Sequence, residues 1–141
     1  MKPFEYYLNN KDARKSEKNL ILAESLINDI KVRLKENWNE DEEKKPKLIF
    51  ENIYDALRDF FLAILLSEGY KTNSHEAPIS YLSKRGFDIY LVERLNQFRY
   101  KRNGSKYYGE EISTQEAEDI KAFYLKIKEK VNKLIKDNNL E

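Results

Sequence analysis

The residues best suited to chemistry gather in one stretch, Phe98-Arg99-Tyr100-Lys101-Arg102-Asn103-Gly104-Ser105-Lys106-Tyr107-Tyr108-Gly109. Five basic residues and no acidic one lie between Arg94 and Lys106, in a chain whose formal net charge is only +1. Arg102 can fork two donors onto a phosphate, and Arg99, Lys101 and Lys106 add local positive potential. Tyr100, Tyr107 and Tyr108 interleave with these cations, a composition that suits single-stranded RNA. Leu91, Leu95 and Phe98 line one helix face at spacings of four and three, and Arg102 is the next position on that face. An arginine that continues an apolar stripe is expected to point towards a partner. The structural alternative is that the tyrosines plug the end of a bundle and Arg102 pairs with Asp55 or Asp59.

Other titratable groups are sparser. Asp55 and Asp59 are four residues apart, so they share a helix face with Arg58 beside it. Such a pair can do acid–base work or can balance arginines. His75, the single histidine, falls near the start of a short helix, where it serves as a capping or packing residue or as a general base. The carboxylate run Glu40 to Glu43 lacks the glycine and alternating ligand spacing of a calcium loop and reads as a solvated linker. The absence of cysteine removes disulfides, thiol catalysis and Cys-ligated zinc, and one histidine makes no His-rich metal site. No metal or cofactor is expected.

The elements that must position these groups are helical. A chain of 141 residues fits one domain, residues 1–141, and its 26 basic residues nearly cancel its 25 acidic ones. The N-terminus has no apolar signal-peptide core, and the longest apolar run, Phe60 to Leu66, is far short of the roughly 20 residues of a membrane helix. A soluble, cytoplasmic protein is expected. The apolar spacing predicts long helices over about 16–35, starting at Ser16, and 48–67, entered through Pro46 and stopped at Gly69. A short third helix, capped by Asn73 or Ser74, ends at Lys84-Arg85-Gly86. A fourth opens at Asp88 and runs to Lys101 or Arg102, with Gly104 as its stop. The fifth begins at Ser113-Thr114-Gln115-Glu116, an S-x-x-E capping box. Phe4 to Leu8 adds a short aromatic segment of about one helical turn that needs a surface to pack on, Trp38 a lid over the core, and no stretch alternates long enough for a strand. The fold class is all-α, with about five helices.

Several segments together resemble the HEPN family (higher eukaryotes and prokaryotes nucleotide-binding domains). They are Tyr54-Asp55-Ala56-Leu57-Arg58-Asp59, Glu68-Gly69-Tyr70-Lys71-Thr72, Ser74-His75-Glu76, Tyr81-Leu82, and above all Leu95 to Asn103 with Tyr107-Tyr108-Gly109. The resemblance implies an up-and-down helical bundle that dimerises across the face bearing the motif. It also implies a metal-independent endoribonuclease site of the pattern R-x4–6-H, shared between two protomers. Arg102-Asn103 matches the arginine and the polar residue after it, whereas Tyr107 stands where the histidine is expected. A phenol, with a pKa of about 10, is a poor general base at neutral pH. The expectation is therefore an RNA- or nucleotide-binding homodimer with weakened or lost cleavage. Arg102, Asn103, Tyr107 and His75 are its catalytic candidates, and Arg99, Lys101, Lys106 and Tyr108 its binding residues. The alternative is a non-catalytic member of a toxin–antitoxin-like pair with a nucleotidyltransferase, in which Tyr107 or Tyr108 accepts a modification.

Overall fold

A computed structural model describes residues 1–140. The chain folds as α1 (Phe4–Asn9), β1 (Ala13–Lys15), α2 (Leu20–Asn37), α3 (Pro46–Ser67), β2 (Tyr70–Thr72), α4 (Ala77–Tyr81), a 3-10 turn (Leu82–Arg85), α5 (Ile89–Tyr108) and α6 (Thr114–Asp137). It is an all-α helical bundle with a small two-stranded sheet at one end.

Helix α3 is the axis of the bundle. Pro46 sits in its first turn, where a missing N–H costs nothing. After Asp59 nearly every residue to Ser67 is buried, so neighbours surround the helix. On one side α2 contributes Ala23, Ile27 and Ile30, spaced four and three. From another, α6 contributes Ala117, Ile120, Phe123, Ile127, Val131 and Leu134. Phe98 of α5 completes the core edge-on to both Phe50 and Phe123. Each of the larger of these, the Ile, Val, Leu and Phe side chains, contributes roughly 1.5–3 kcal/mol by leaving water. Trp38 packs on this core against Tyr124, as a lid.

The helix starts follow local capping chemistry. Ser113 Oγ accepts the Glu116 N–H at 3.1 Å while the Glu116 carboxylate accepts the Ser113 N–H at 3.0 Å, a complete capping box. Asp88 accepts the Leu91 N–H at 3.0 Å and opens α5. Ser74 Oγ accepts the N–H groups of Glu76 and Ala77 at the entry to α4.

Three expectations are corrected. Helix α2 starts at Leu20, capped by Asn19, not at Ser16. The Ser16 and Asn19 N–H groups bond instead to the carbonyls of Gly69 and Leu66, which holds this segment extended against the end of α3. A sheet exists where none was expected: Ala13, Arg14 and Lys15 pair antiparallel with Thr72, Lys71 and Tyr70. Three-residue strands are too short for alternation to show. Finally, α5 continues through Gly104 to Tyr108 and stops at Gly109, whose φ of +68° suits the helix exit. A single glycine costs a helix about 1 kcal/mol without ending it. The supposed basic turn is two further turns of helix. No helix among the described residues is long and apolar enough to cross a membrane.

Candidate functional site

Because α5 is continuous, its period sorts the motif residues onto two faces. Arg99 and Arg102 turn inward, whereas Tyr100, Lys106, Tyr107 and Tyr108 turn outward. The inward face is an ion-pair network. Arg102 is 5% exposed, and its Nε and Nη2 each donate to a different oxygen of Asp55 at 3.1 Å. Burial works against the guanidinium charge, but the Asp55 carboxylate outweighs it and holds the group above its ordinary pKa. The partner that Arg102 meets is in its own chain. This is the internal alternative, pairing with Asp55.

Both helical carboxylates are held between arginines. Asp55 also faces Arg58 at 3.6 Å, and Asp59 lies 3.3 Å from both Arg58 and Arg33. They act as counterions. Arg99 donates to Asn96 Oδ1 at 3.0 Å and lies 3.6 Å from Glu76, which accepts the Tyr7 hydroxyl at 2.9 Å. The Ser105 hydroxyl donates to Glu51 at 2.9 Å. These bonds tie α5 to α3, to the approach to α4 and to α1.

One atom in this region is left over. The Tyr54 hydroxyl is buried and has no hydrogen-bond partner. Burial pushes its pKa up to about 12, against the opposing pull of Arg58, Arg99 and Arg102. His75 borders a hollow of about 250 Å³ with Arg58 and Asp59. Its pKa is lowered, first by desolvation and then by repulsion from Arg58, Arg102 and Arg99. The imidazole is therefore largely neutral at pH 7. Thus His75 and Arg102, distant in sequence, share one electrostatic neighbourhood.

The outward face is a different surface. Tyr100, Tyr107 and Tyr108 are 65%, 63% and 82% exposed. They border a cleft of about 720 Å³ with Gln97, Lys101, Asn103 and Glu110, floored by Gly104. Asn103 is half-buried at the rim. Lys101 is drawn towards Glu116 at 3.3 Å and Glu110 at 3.9 Å, and Arg94 towards Asp119 at 3.7 Å. Of the five cations in the stretch, Lys106 alone has no carboxylate partner among the described residues, and it lies over the Tyr107 ring. The charge count along the chain was right, but α3, α6 and the approach to α4 supply the counterions. On the inward face, Tyr54 and Glu76 fall inside segments singled out in the sequence but were given no role of their own, and Glu51 lies outside every such segment. Among the described residues no group of three or more His, Cys, Asp or Glu side chains is placed to hold a metal ion.

No protein-family model matches this chain, and comparison with curated proteins and with solved structures gives no match.

Proposed function

We propose that this chain is a HEPN-like helical module that binds single-stranded RNA on the outer surface of α5. The observation that carries the reading is the exposure of Tyr100, Tyr107 and Tyr108 around one cleft. Every base has a face that stacks on a phenol ring, at about 1–3 kcal/mol per base. Lys106 supplies an unpaired charge for the backbone, and Lys101 and Asn103 sit at the rim. Arg102 and Arg99 tie α5 to Asp55 and Glu76 beneath this surface. Binding of a labelled single-stranded RNA, read by fluorescence anisotropy, tests the reading. Tyr107→Ala and Tyr108→Ala should each weaken binding roughly ten-fold, while Tyr107→Phe keeps it. Unchanged affinity in both alanine variants sinks the assignment.

A second reading is favoured by the shared neighbourhood of His75, Arg58 and Arg102. In it His75 accepts the proton of a ribose 2′-hydroxyl, whose oxygen attacks the adjacent phosphorus. The 5′-oxygen leaves and takes a proton from water, giving a 2′,3′-cyclic phosphate and a 5′-hydroxyl. Arg58, the more accessible of the two arginines, would stabilise the charge gathering on the phosphate oxygens. Metal-free cleavage that disappears in His75→Ala and falls as His75 takes up a proton supports this reading. Cleavage indifferent to His75 rules it out.

A further inference from the structure

The turn after α1 and the β1–β2 sheet bring Lys11, Arg14 and Lys71 around a cleft of about 450 Å³. Two choices there run against local physics. The Lys11 N–H donates to the Leu8 carbonyl at 3.2 Å and the Asp12 N–H to the Tyr7 carbonyl at 2.9 Å. These bonds close the end of α1 through one left-handed residue, and that residue is Lys11, with φ +62°. Glycine is the favoured residue in that place. Arg14 and Lys71 are direct cross-strand partners, and like charges directly opposite destabilise a sheet. No ion pair reaches Lys11, Arg14, Lys15 or Lys71 among the described residues. Asp12 is the one carboxylate lining the cleft. This contrasts with α5, where nearly every cation is neutralised. Positions that break a local rule without an internal compensation are where an external partner is expected.

The surface is also extended. Thr72, Asn73 and Ser74 line this cleft and the adjoining hollow of Arg58 and His75. Two hollows in series suit a linear polyanion better than a single small anion. Lys11, Arg14 and Lys71 supply charge, and the Asn73 amide and His75 imidazole supply hydrogen-bonding groups between them.

We propose that this track binds the phosphate groups of a single-stranded nucleic acid. It takes its ligand from the RNA reading above and adds a second contact surface, separate from the tyrosines of α5.

Salt dependence separates the two surfaces. Single-stranded RNA is titrated at several salt concentrations with the full chain, with Lys11→Gly, with Arg14→Gln/Lys71→Gln, and with Tyr107→Ala/Tyr108→Ala. Each cation removed from the track should lower the slope of log affinity against log salt by roughly 0.7. The tyrosine variant should lose affinity with its slope unchanged. Lys11→Gly should melt no lower than the parent, because glycine fits that φ, so weaker binding there cannot be ascribed to unfolding. If RNA binds and the track variants keep the parental slope, the track is refuted and the RNA reading stands. If the track variants lose affinity and the tyrosine variant does not, the α5 surface is refuted and the track stands. Absence of RNA binding by the parent refutes both. Polyglutamate displacing RNA at a lower concentration of charge than polyphosphate does, with that advantage lost in the track variants, would make this a surface for an acidic protein segment and overturn the phosphate assignment.

Discussion

Arg102 closes its guanidinium fork on Asp55, and Asp55 in turn is shared with Arg58 on its own helix. The pair is bidentate and mostly dry, with side-chain exposures of 6% and 22%. Breaking one partner of such a pair leaves a desolvated charge, which costs about 3–5 kcal/mol when fully buried. Because Arg58 remains to neutralise Asp55, Arg102→Ala should cost about 3 kcal/mol, at the low end of that range. The double variant Arg102→Met/Asp55→Leu, which removes both charges, should recover most of the loss. Urea denaturation of the three proteins checks this. A near-neutral Arg102→Ala would mean that the arginine is held for something other than α3.

The pH dependence of stability contains a contribution from His75. Its folded pKa lies below the ordinary 6.5, so the unfolded chain binds this proton more readily. The contribution is fully present above pH 6.5 and is lost as pH falls through the folded pKa. Thermal melts at pH 7.5 and pH 5.5 should therefore show a larger drop for the parent than for His75→Gln. Equal drops would place His75 outside the field of Arg58, Arg102 and Arg99.

The local chemistry of this fold was legible in the sequence. Asp88 and Ser113 cap their helices with atoms three residues away, and the stripes of α3 and α6 need only periodicity. Gly104 was misread because a second glycine, Gly109, lies one and a half turns further on, and backbone φ decides which one ends the helix. The site was less legible, since its charges are settled by distant partners. Asp55 lies 47 residues from Arg102 and Glu51 lies 54 from Ser105. A run of cations looks electropositive until the carboxylates of neighbouring elements are placed beside it. The reverse happens at Lys11, Arg14 and Lys71, which look unremarkable until the sheet brings them together.

Gly104 offers a test of how the α5 cleft is set. A Cβ at this position would run into the Glu110 carboxylate, the far end of a flexible side chain. Gly104→Ala should therefore push Glu110 aside and gain up to about 1 kcal/mol of helix propensity. Moving that carboxylate away from Lys101, now 3.9 Å from it, also makes the cleft more positive. The expected result is a higher melting temperature together with tighter RNA binding. A lower melting temperature would show that Glu110 cannot yield and that glycine is required there.

Tyr54 provides the sharpest probe of the arginine cluster. Its side chain is 2% exposed, and its hydroxyl is enclosed without a donor or acceptor in reach. A buried hydroxyl left unpaired costs about 1–3 kcal/mol, and Tyr54→Phe removes the polar atom while keeping the ring. The free protein should thus be stabilised by about 1 kcal/mol, at the low end of that range, when measured by urea denaturation. The same substitution removes a buried hydroxyl that has no partner, in the field of Arg58, Arg99 and Arg102, all of which bear on the Tyr54 phenol. RNA affinity separates two roles for that hydroxyl. Stabilisation with unchanged affinity means that the hydroxyl is a packing defect in a structural network. Stabilisation with weaker binding means that it is kept unpaired for a ligand oxygen. Destabilisation would show that the hydroxyl already has a partner in solution, and the reading of Tyr54 as an orphan would be wrong.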